Sequence, residues 1–433
     1  MRTIHLLLVS ALLLLTSCTK TSFVKTSGSQ FILDGKPYYY IGTNAWYLPI
    51  LASDGAGGDH QRLTRELDAL DQMGVRNVRV LVGADGVPTA RKVQPVLQTA
   101  PGIYNDTLLV GLDRLMTELE KRGMKAVLYL NNSWSWSGGY AAYLRWSGTF
   151  EEEPVDSMNW VKWCAAAAHF AQDPEAHRLF LCHVERMVSR RNTITGRPYA
   201  EDPTIMAWQI GNEPRAFSDA SKEPFAQWVA ETAALIKRLD HNHLVSVGSE
   251  GTVGCEQDKD LYERLHADPN IDYLTAHIWP QNWGWVERGK VATKEQDSLM
   301  QQQLEAVNNE TEAYIRIHTD LARTLNKPLV IEEFGYPRDA NQFSHQASTC
   351  ARDIYYRFMF QHVIDSKKAS DVLAGVNFWG WNGEARARHL WWEPYDPYMA
   401  DPAQEEQGLY GVFDSDSTCL IIREAVSALD SSE

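Results

Sequence analysis

Residues 107–130 read TLLVGLDRLMTELEKRGMKAVLYL: an amphipathic run of helical length, a glycine at 123, then a short apolar run. The first part predicts a helix over Thr107–Arg122 and the last a strand over Met124–Leu130, joined through Gly123. A helix feeding directly into an apolar strand is one step of a parallel sheet, in which every strand needs a crossover to return the chain.

The same step recurs in both directions. Upstream, Tyr38–Gly42 reads as a first strand, Asp59–Met73 as a helix with Leu63, Leu67, Leu70 and Met73 at helical spacing, and Val75–Val82 as a second strand. Downstream, a helix over Glu175–Arg191 precedes the strand TIMAWQI (204–210), and a helix over Ala226–Leu239 precedes HLVSVG (243–248). YLTAHIW (273–279) is a sixth strand; a helix over Leu304–Leu325 leads to KPLVIEEFG (327–335), and one over Asp353–Ile364 to VLAGVNFWG (372–380). Cys419–Leu429 supplies a closing helix. Eight such strands predict a (β/α)8 barrel formed as a single domain. The alternative, a doubly wound open sheet, normally carries a glycine-rich phosphate turn after its first strand, and GTNAWY (42–47) is not one. Long stretches at Asn131–Ala171, Ile278–Leu299 and Trp379–Leu409 follow strands three, six and eight, so all three fall on the C-terminal face where barrels build their sites.

The chain has 433 residues, 44% hydrophobic and 22% charged, an ordinary globular composition. Its net charge of -15 argues against nucleic acid or an anionic membrane surface as partner and favours an uncharged or cationic substrate. At the N-terminus, Met1-Arg2 precedes a ten-residue apolar run, Leu6–Leu15, too short to span a bilayer. Leu15-Thr16-Ser17-Cys18 resembles a bacterial lipobox, which implies a signal peptide over 1–17, a lipidated Cys18 and a polar tether to residue 29, with the catalytic domain over 30–433. A plain secretory signal is the alternative. The expected location is therefore the bacterial cell envelope, with the membrane met through the lipid anchor only. The other five cysteines are widely spaced without CxxC pairs; Cys164 and Cys182 are the one pairing considered, and buried thiols the preferred reading.

AWQIGNEPR (207–215) places Glu213 after an apolar run and before Pro214, which biases it toward an extended backbone at a strand end. Glu333 ends the seventh strand. Two carboxylates projecting into one cleft from different strands suit glycosidic cleavage, one as acid and one as nucleophile or base. Glu332 competes with Glu333, but adjacent strand residues point to opposite faces, so Glu332 is expected to pack against a helix.

AWQIGNEP and IEEFG, each at its barrel strand, resemble the signature of glycoside hydrolase family 5. NVRVLVGADG (77–86), LNNSWSWSGG (130–139), AHIWPQNWGW (276–285), FWGWNGEAR (378–386) and EEQGLYGVFDSDST (405–418) are similar to its endo-β-1,4-mannanase branch. The resemblance spans roughly 30–430 and implies Glu213 as acid/base and Glu333, directly before the aromatic-Gly pair, as nucleophile. It further implies Arg79 as the cation orienting the nucleophile, Asn212 as the ligand of the sugar 2-OH, and His277 as a neutral, hydrogen-bonding site residue. Pyranose rings stack on aromatic faces, and among fifteen tryptophans Trp379 is the expected floor, with Trp46, Trp134, Trp136, Trp279, Trp283 and Trp285 as further platforms. Trp208 is assigned to the core and Trp160, Trp163 and Trp228 to packing, while Arg215 resembles a residue binding a leaving-side sugar. One departure is Trp279, where many relatives carry a tyrosine that bonds the nucleophile; the group supporting Glu333 from that side is left open. The implied reaction is retaining double displacement on mannan, galactomannan or glucomannan, with carboxyls about 5–5.5 Å apart, a raised pKa on Glu213 and a low one on Glu333. Three alternatives stay open: a β-1,4-glucanase, an exo-mannosidase, or a glycan-binding protein on an inactive barrel. No metal or organic cofactor is implied, since no HExxH or EF-hand spacing occurs, and the protein is expected to be a monomer.

Overall fold

The computed structural model describes residues 22–154 and 159–432. The signal segment and Cys18 lie outside the described residues. Eight parallel strands form one sheet: β1 (Tyr40–Asn44), β2 (Asn77–Leu81), β3 (Lys125–Tyr129), β4 (Ile205–Gln209), β5 (Leu244–Ser246), β6 (Leu274–Ile278), β7 (Leu329–Phe334) and β8 (Leu373–Phe378). Their spatial order is 5-4-3-2-1-8-7-6, so each strand neighbours its sequence neighbours and the two ends of the row are β5 and β6. The ring closes between those two through Asp272 N–H to Val245 O (2.8 Å) and His277 N–H to Glu250 O (3.0 Å). This is the (β/α)8 barrel expected from the alternation of strand and helix.

Among the described residues eight helices cover the outside: α1 (His60–Gln72), α2 (Asp106–Lys121), α3 (Pro174–Val188), α4 (Lys222–Leu239), α5 (Lys259–Ala267), α6 (Asp297–Leu325), α7 (Cys350–Ala369) and α8 (Thr418–Ser431). Several start where a short polar side chain takes up the free amides of the first turn. Asp59 accepts from Arg62 N–H, Asn105 from Thr107 and Leu108, Asp173 from Glu175 and Ala176, and Asp258 from Leu261. The nine-residue α5 between β5 and β6 is too short to stand out by periodicity, and the sequence reading passed over it. Two further short helices, Gly139–Trp146 and Trp160–Ala167, fold the long segment after β3 onto the C-terminal face.

One expectation is corrected at the N-terminus. Residues 22–29 are not a free tether: Lys25–Ser27 pairs antiparallel with Gln30–Leu33, which pairs in turn with Lys36–Pro37. This small sheet places Val24 and Phe31, 1% and 0% exposed, against Tyr40, Val127, Met206 and Tyr273. Phe31 and Tyr273 meet edge to face at 5.3 Å. The hairpin thus plugs the bottom of the barrel with apolar side chains and leaves the upper end to the polar residues described next.

Candidate active site

The upper end of the barrel is filled by charge rather than by hydrocarbon. Arg79 on β2 is fully buried, with its guanidinium carbon 4.5 Å from the Tyr129 ring centroid. It donates to Glu333 Oε1 (2.5 Å), to Asn44 Oδ1 (3.1 Å), to Asn212 Oδ1 (2.9 Å) and to Gln209 Oε1 (2.7 Å). Residues from β1, β2, β4 and β7 are therefore held to one cation, and a buried charge of this kind persists only when so satisfied. Glu333 also accepts from Trp279 Nε1–H at 3.2 Å. The indole N–H answers the question that the missing tyrosine left: it supplies a donor from the β6 side.

Glu213 stands opposite. Its Oε1 lies 2.7 Å from His277 Nδ1 and its Oε2 accepts from Trp134 Nε1–H at 2.5 Å. The same His277 Nδ1 is 3.4 Å from Glu333 Oε2, so one ring nitrogen faces both carboxylates. Burial, joined by the charge of Arg79, pushes the His277 imidazolium well below the usual histidine range. The ring is neutral and its single proton serves the carboxylates from Nδ1. One oxygen each of Glu213 and Glu333, with a ring nitrogen of His277, lie within 4.8 Å of one another.

Burial raises the pKa of both glutamates, and the charge on Glu213 pushes Glu333 further up while Arg79 opposes the rise. The low pKa expected for Glu333 is corrected: burial outweighs the guanidinium. Two carboxyls this close share a proton. The short bond from Arg79 favours charge on Glu333, which leaves the proton with Glu213.

Two backbone expectations also change. The β4 ladder ends at Gln209, and Glu213 is not extended but has φ +51°. Its N–H is held by Gly248 O (3.0 Å) and its carbonyl by Ser133 Oγ–H (2.5 Å). A glutamate in the left-handed region is uncommon and costs energy that the surrounding bonds must offset. Glu332, expected against a helix, instead faces the barrel interior, where it accepts from Gln209 Nε2 (2.5 Å) and Tyr273 OH (3.2 Å) and lies 3.9 Å from Arg79. The register of β7 against β8 shifts between Ile331 and Phe334, and that irregularity breaks strict alternation.

The cleft above these residues has a volume of about 570 Å³. Trp134, Trp136, Trp279, Trp283 and Trp379 line it, as does Arg215. Trp46 does not: it is 1% exposed, with its indole N–H bonded to Ala400 O (2.7 Å), and its assignment as a sugar platform is corrected. Trp285 packs on Trp283 (5.1 Å) and Tyr314 (6.4 Å) outside the lining. Conversely Trp160, assigned to packing, is 53% exposed and lines the cleft, because the helix it starts lies across the face instead of in the wall. Trp163, Trp208 and Trp228 are buried as expected.

Glu250 was missed. It follows β5, lines the cleft and accepts from Arg215 Nε at 2.6 Å, while the Arg215 guanidinium lies over the rings of Trp134 (5.5 Å) and Trp160 (5.9 Å). The strand-end argument applied to Glu213 also fits SVGSE (246–250), so a signal was present. Arg91, Gln404 and Glu405 also line the cleft; they come from long loops that carry no periodic signal.

The sequence model described as GH family 5 beta-mannosidase-like matches residues 21–433. The chain belongs to glycoside hydrolase family 5. Among relatives of this family 5 glycoside hydrolase, mannan endo-1,4-beta-mannosidase 7 of Arabidopsis thaliana is 31% identical over 368 residues, covering 82% of this chain and 77% of the relative. A glycoside hydrolase family 5 mannosidase from Rhizomucor miehei superimposes with a TM-score of 0.85 at 31% identity, over 95% of this chain and 98% of that one. A variant of that mannosidase, solved with mannosyl-fructose, gives 0.85 at 31% identity over 95% and 99%.

Proposed function

We propose that this family 5 glycoside hydrolase is a retaining endo-β-1,4-mannanase, cleaving internal bonds of mannan, galactomannan or glucomannan. The observation that carries the reading is the Glu213–Glu333 pair, with oxygens within 4.8 Å in a tryptophan-lined cleft. Inverting enzymes separate their carboxyls by about 6.5–9.5 Å to lodge a water, whereas retaining ones use about 5–5.5 Å so that one carboxylate attacks directly. The relatives named for mannan supply the substrate class.

The chemistry follows from the contacts. The sugar ring lies on Trp379, whose buried Nε1–H has no partner among the described residues. Glu333, charged and oriented by Arg79 and Trp279, attacks the anomeric carbon to form a glycosyl ester while the Glu213 proton passes to the leaving oxygen. As Glu333 loses its charge to the ester, the pKa of Glu213 falls because like-charge repulsion is gone. Glu213 then takes a proton from water, which attacks the ester and restores Glu333 with net retention. Asn212, held by Arg79 and by its own Nδ2–H to Asn132 Oδ1 (3.2 Å), presents its amide beside the sugar 2-OH.

The same proposal places the enzyme at a bacterial cell envelope, exported and anchored through Cys18, acting as a monomer. The N-terminal lipobox-like sequence supports that location. The test is product analysis on linear mannan, galactomannan and carboxymethylcellulose, with the anomer followed by NMR during the first minutes. Early β-anomer from the mannans as a ladder of oligosaccharides is expected. Early α-anomer overturns retention, release of mannose alone overturns endo action, and cleavage of cellulose alone overturns the substrate.

A further inference from the structure

A second hollow of similar size lies on the same face. It has a volume of about 640 Å³ and is walled by the segments after β1 (51–62), β2 (88–105) and β8 (388–398). Four prolines, Pro88, Pro95, Pro394 and Pro397, stiffen its sides. Tyr395 stands at its rim 92% exposed, the largest exposure of any large apolar side chain described. Trp392 forms a deeper wall, stacked on Tyr398 at 4.7 Å and 11°. Polar groups are spaced between these rings: Asp59, Gln94, Thr99, Asn105, Arg388 and Asp396.

We infer that this groove is a second polysaccharide-binding site, holding a further stretch of the neutral β-linked mannan chain whose other part is cut in the cleft. The inference rests on the mannan reading above. Charge supports it: two carboxylates, Asp59 and Asp396, and two guanidinium groups, Arg62 and Arg388, line it, so the lining is balanced in a protein of net charge -15. A polyanion would find no excess of cations there. One exposed ring, Tyr395, beside polar side chains suits a pyranose chain, with a CH face against the ring and its hydroxyls against the polar groups.

Continuity with the cleft supports it too. The consecutive Trp391 and Trp392 serve opposite sides of one loop. Trp392 lines the groove, while Trp391 lies under Arg91 at 4.5 Å, and Arg91 lines the cleft. Beneath them an unbroken row of rings runs from groove to cleft: Tyr398 meets Trp46 at 5.3 Å and Trp46 meets Trp136 at 5.5 Å. Trp46 thus acts as the fixed spine between two binding surfaces. Holding one chain at two places raises its effective concentration at the cleft without any added contact there.

The test uses Tyr395→Ala, an exposed position whose loss leaves the packing intact, and Tyr395→Trp, which keeps a flat ring. In the non-cleaving Glu333→Ala background, migration in native gels containing galactomannan reports binding. Adding Tyr395→Ala is expected to weaken retardation at least fivefold, and Tyr395→Trp to preserve it. In the active enzyme, Tyr395→Ala is expected to lower release from insoluble mannan severalfold while kcat/KM on mannopentaose stays within twofold. Unchanged retardation and unchanged release by Tyr395→Ala, with wild type active on both substrates, overturn the groove alone. Equal losses on mannopentaose and on insoluble mannan also overturn it, since they would mean a disturbed cleft. A wild-type protein inactive on both overturns the mannan reading and the groove with it.

Discussion

In the proposed reaction Glu213 and Glu333 carry separate tasks although both are buried carboxyls with raised pKa, and the difference lies in their donors. Glu333 meets the full positive charge of Arg79, whereas Glu213 meets neutral N–H groups from Trp134 and His277. Glu333→Ala is accordingly expected to lower kcat by roughly 10^4-fold or more, as loss of a covalent nucleophile does. Glu213→Ala is expected to cost about 10²–10⁴-fold on mannan, and less on an activated aryl mannoside whose leaving group needs no proton; equal losses on the two substrates would remove Glu213 from the acid role. His277→Ala strips both carboxylates of a shared donor, so kcat should fall while the acid limb of the pH profile moves. The profile itself should be a bell with an acid limb set by the second proton on the pair and an alkaline limb set by the loss of the first. A profile flat through both limbs would mean that the pair does not control the rate.

At the scale of elements, the N-terminal hairpin matters more than its polar sequence suggests. Phe31 is fully buried in the barrel floor, and Phe31→Ala should destabilise the protein by about 3–5 kcal/mol through lost burial and the cavity left behind. Urea denaturation measures this directly. Removal of residues up to Ser29, which a free tether would tolerate, deletes the strand Lys25–Ser27 and Val24 with it. It should lower the midpoint as well, whereas removal up to Thr21 should not. The α2 cap is a smaller effect: Asn105→Ala leaves two first-turn amides without their acceptor and should cost about 1 kcal/mol.

For the whole molecule, buried acids set the pH dependence of stability. Burial raises Asp85 and Glu250 to about 7, well above the unfolded range near 4. The folded state then holds protons that the unfolded chain releases, so stability is full below the unfolded pKa and is lost as pH rises through the folded one. Tm should decline between pH 5 and pH 8. Asp85→Asn, at a site where one carboxylate oxygen has no partner among the described residues and the other accepts from Gln98, should flatten that decline. An unchanged slope would place the titration elsewhere.

The order of strands and helices was legible because a parallel barrel repeats one local pattern, in which an amphipathic run returns the chain and a short apolar run crosses the core. Residues 107–130 carry that pattern in full. Short α5 was not legible, since nine residues give too few turns for a period to emerge. The conformation of Glu213 and the inward turn of Glu332 were not legible either. Proline predicts an extended neighbour, and alternation predicts opposite faces, but hydrogen bonds from Ser133 and to Gly248 and a register shift in β7 overrode both. Trp46, Trp160 and Glu250 share one explanation. Whether a ring or carboxylate on a long loop faces a cleft depends on what packs behind it, and those neighbours come from segments remote in the chain. By itself the sequence determined the barrel and the pair of glutamates, because both depend on local periodicity and strand position. Tertiary structure alone decided which tryptophans line the cleft and which acids burial pushes up in pKa, because burial and proximity are properties of the closed fold.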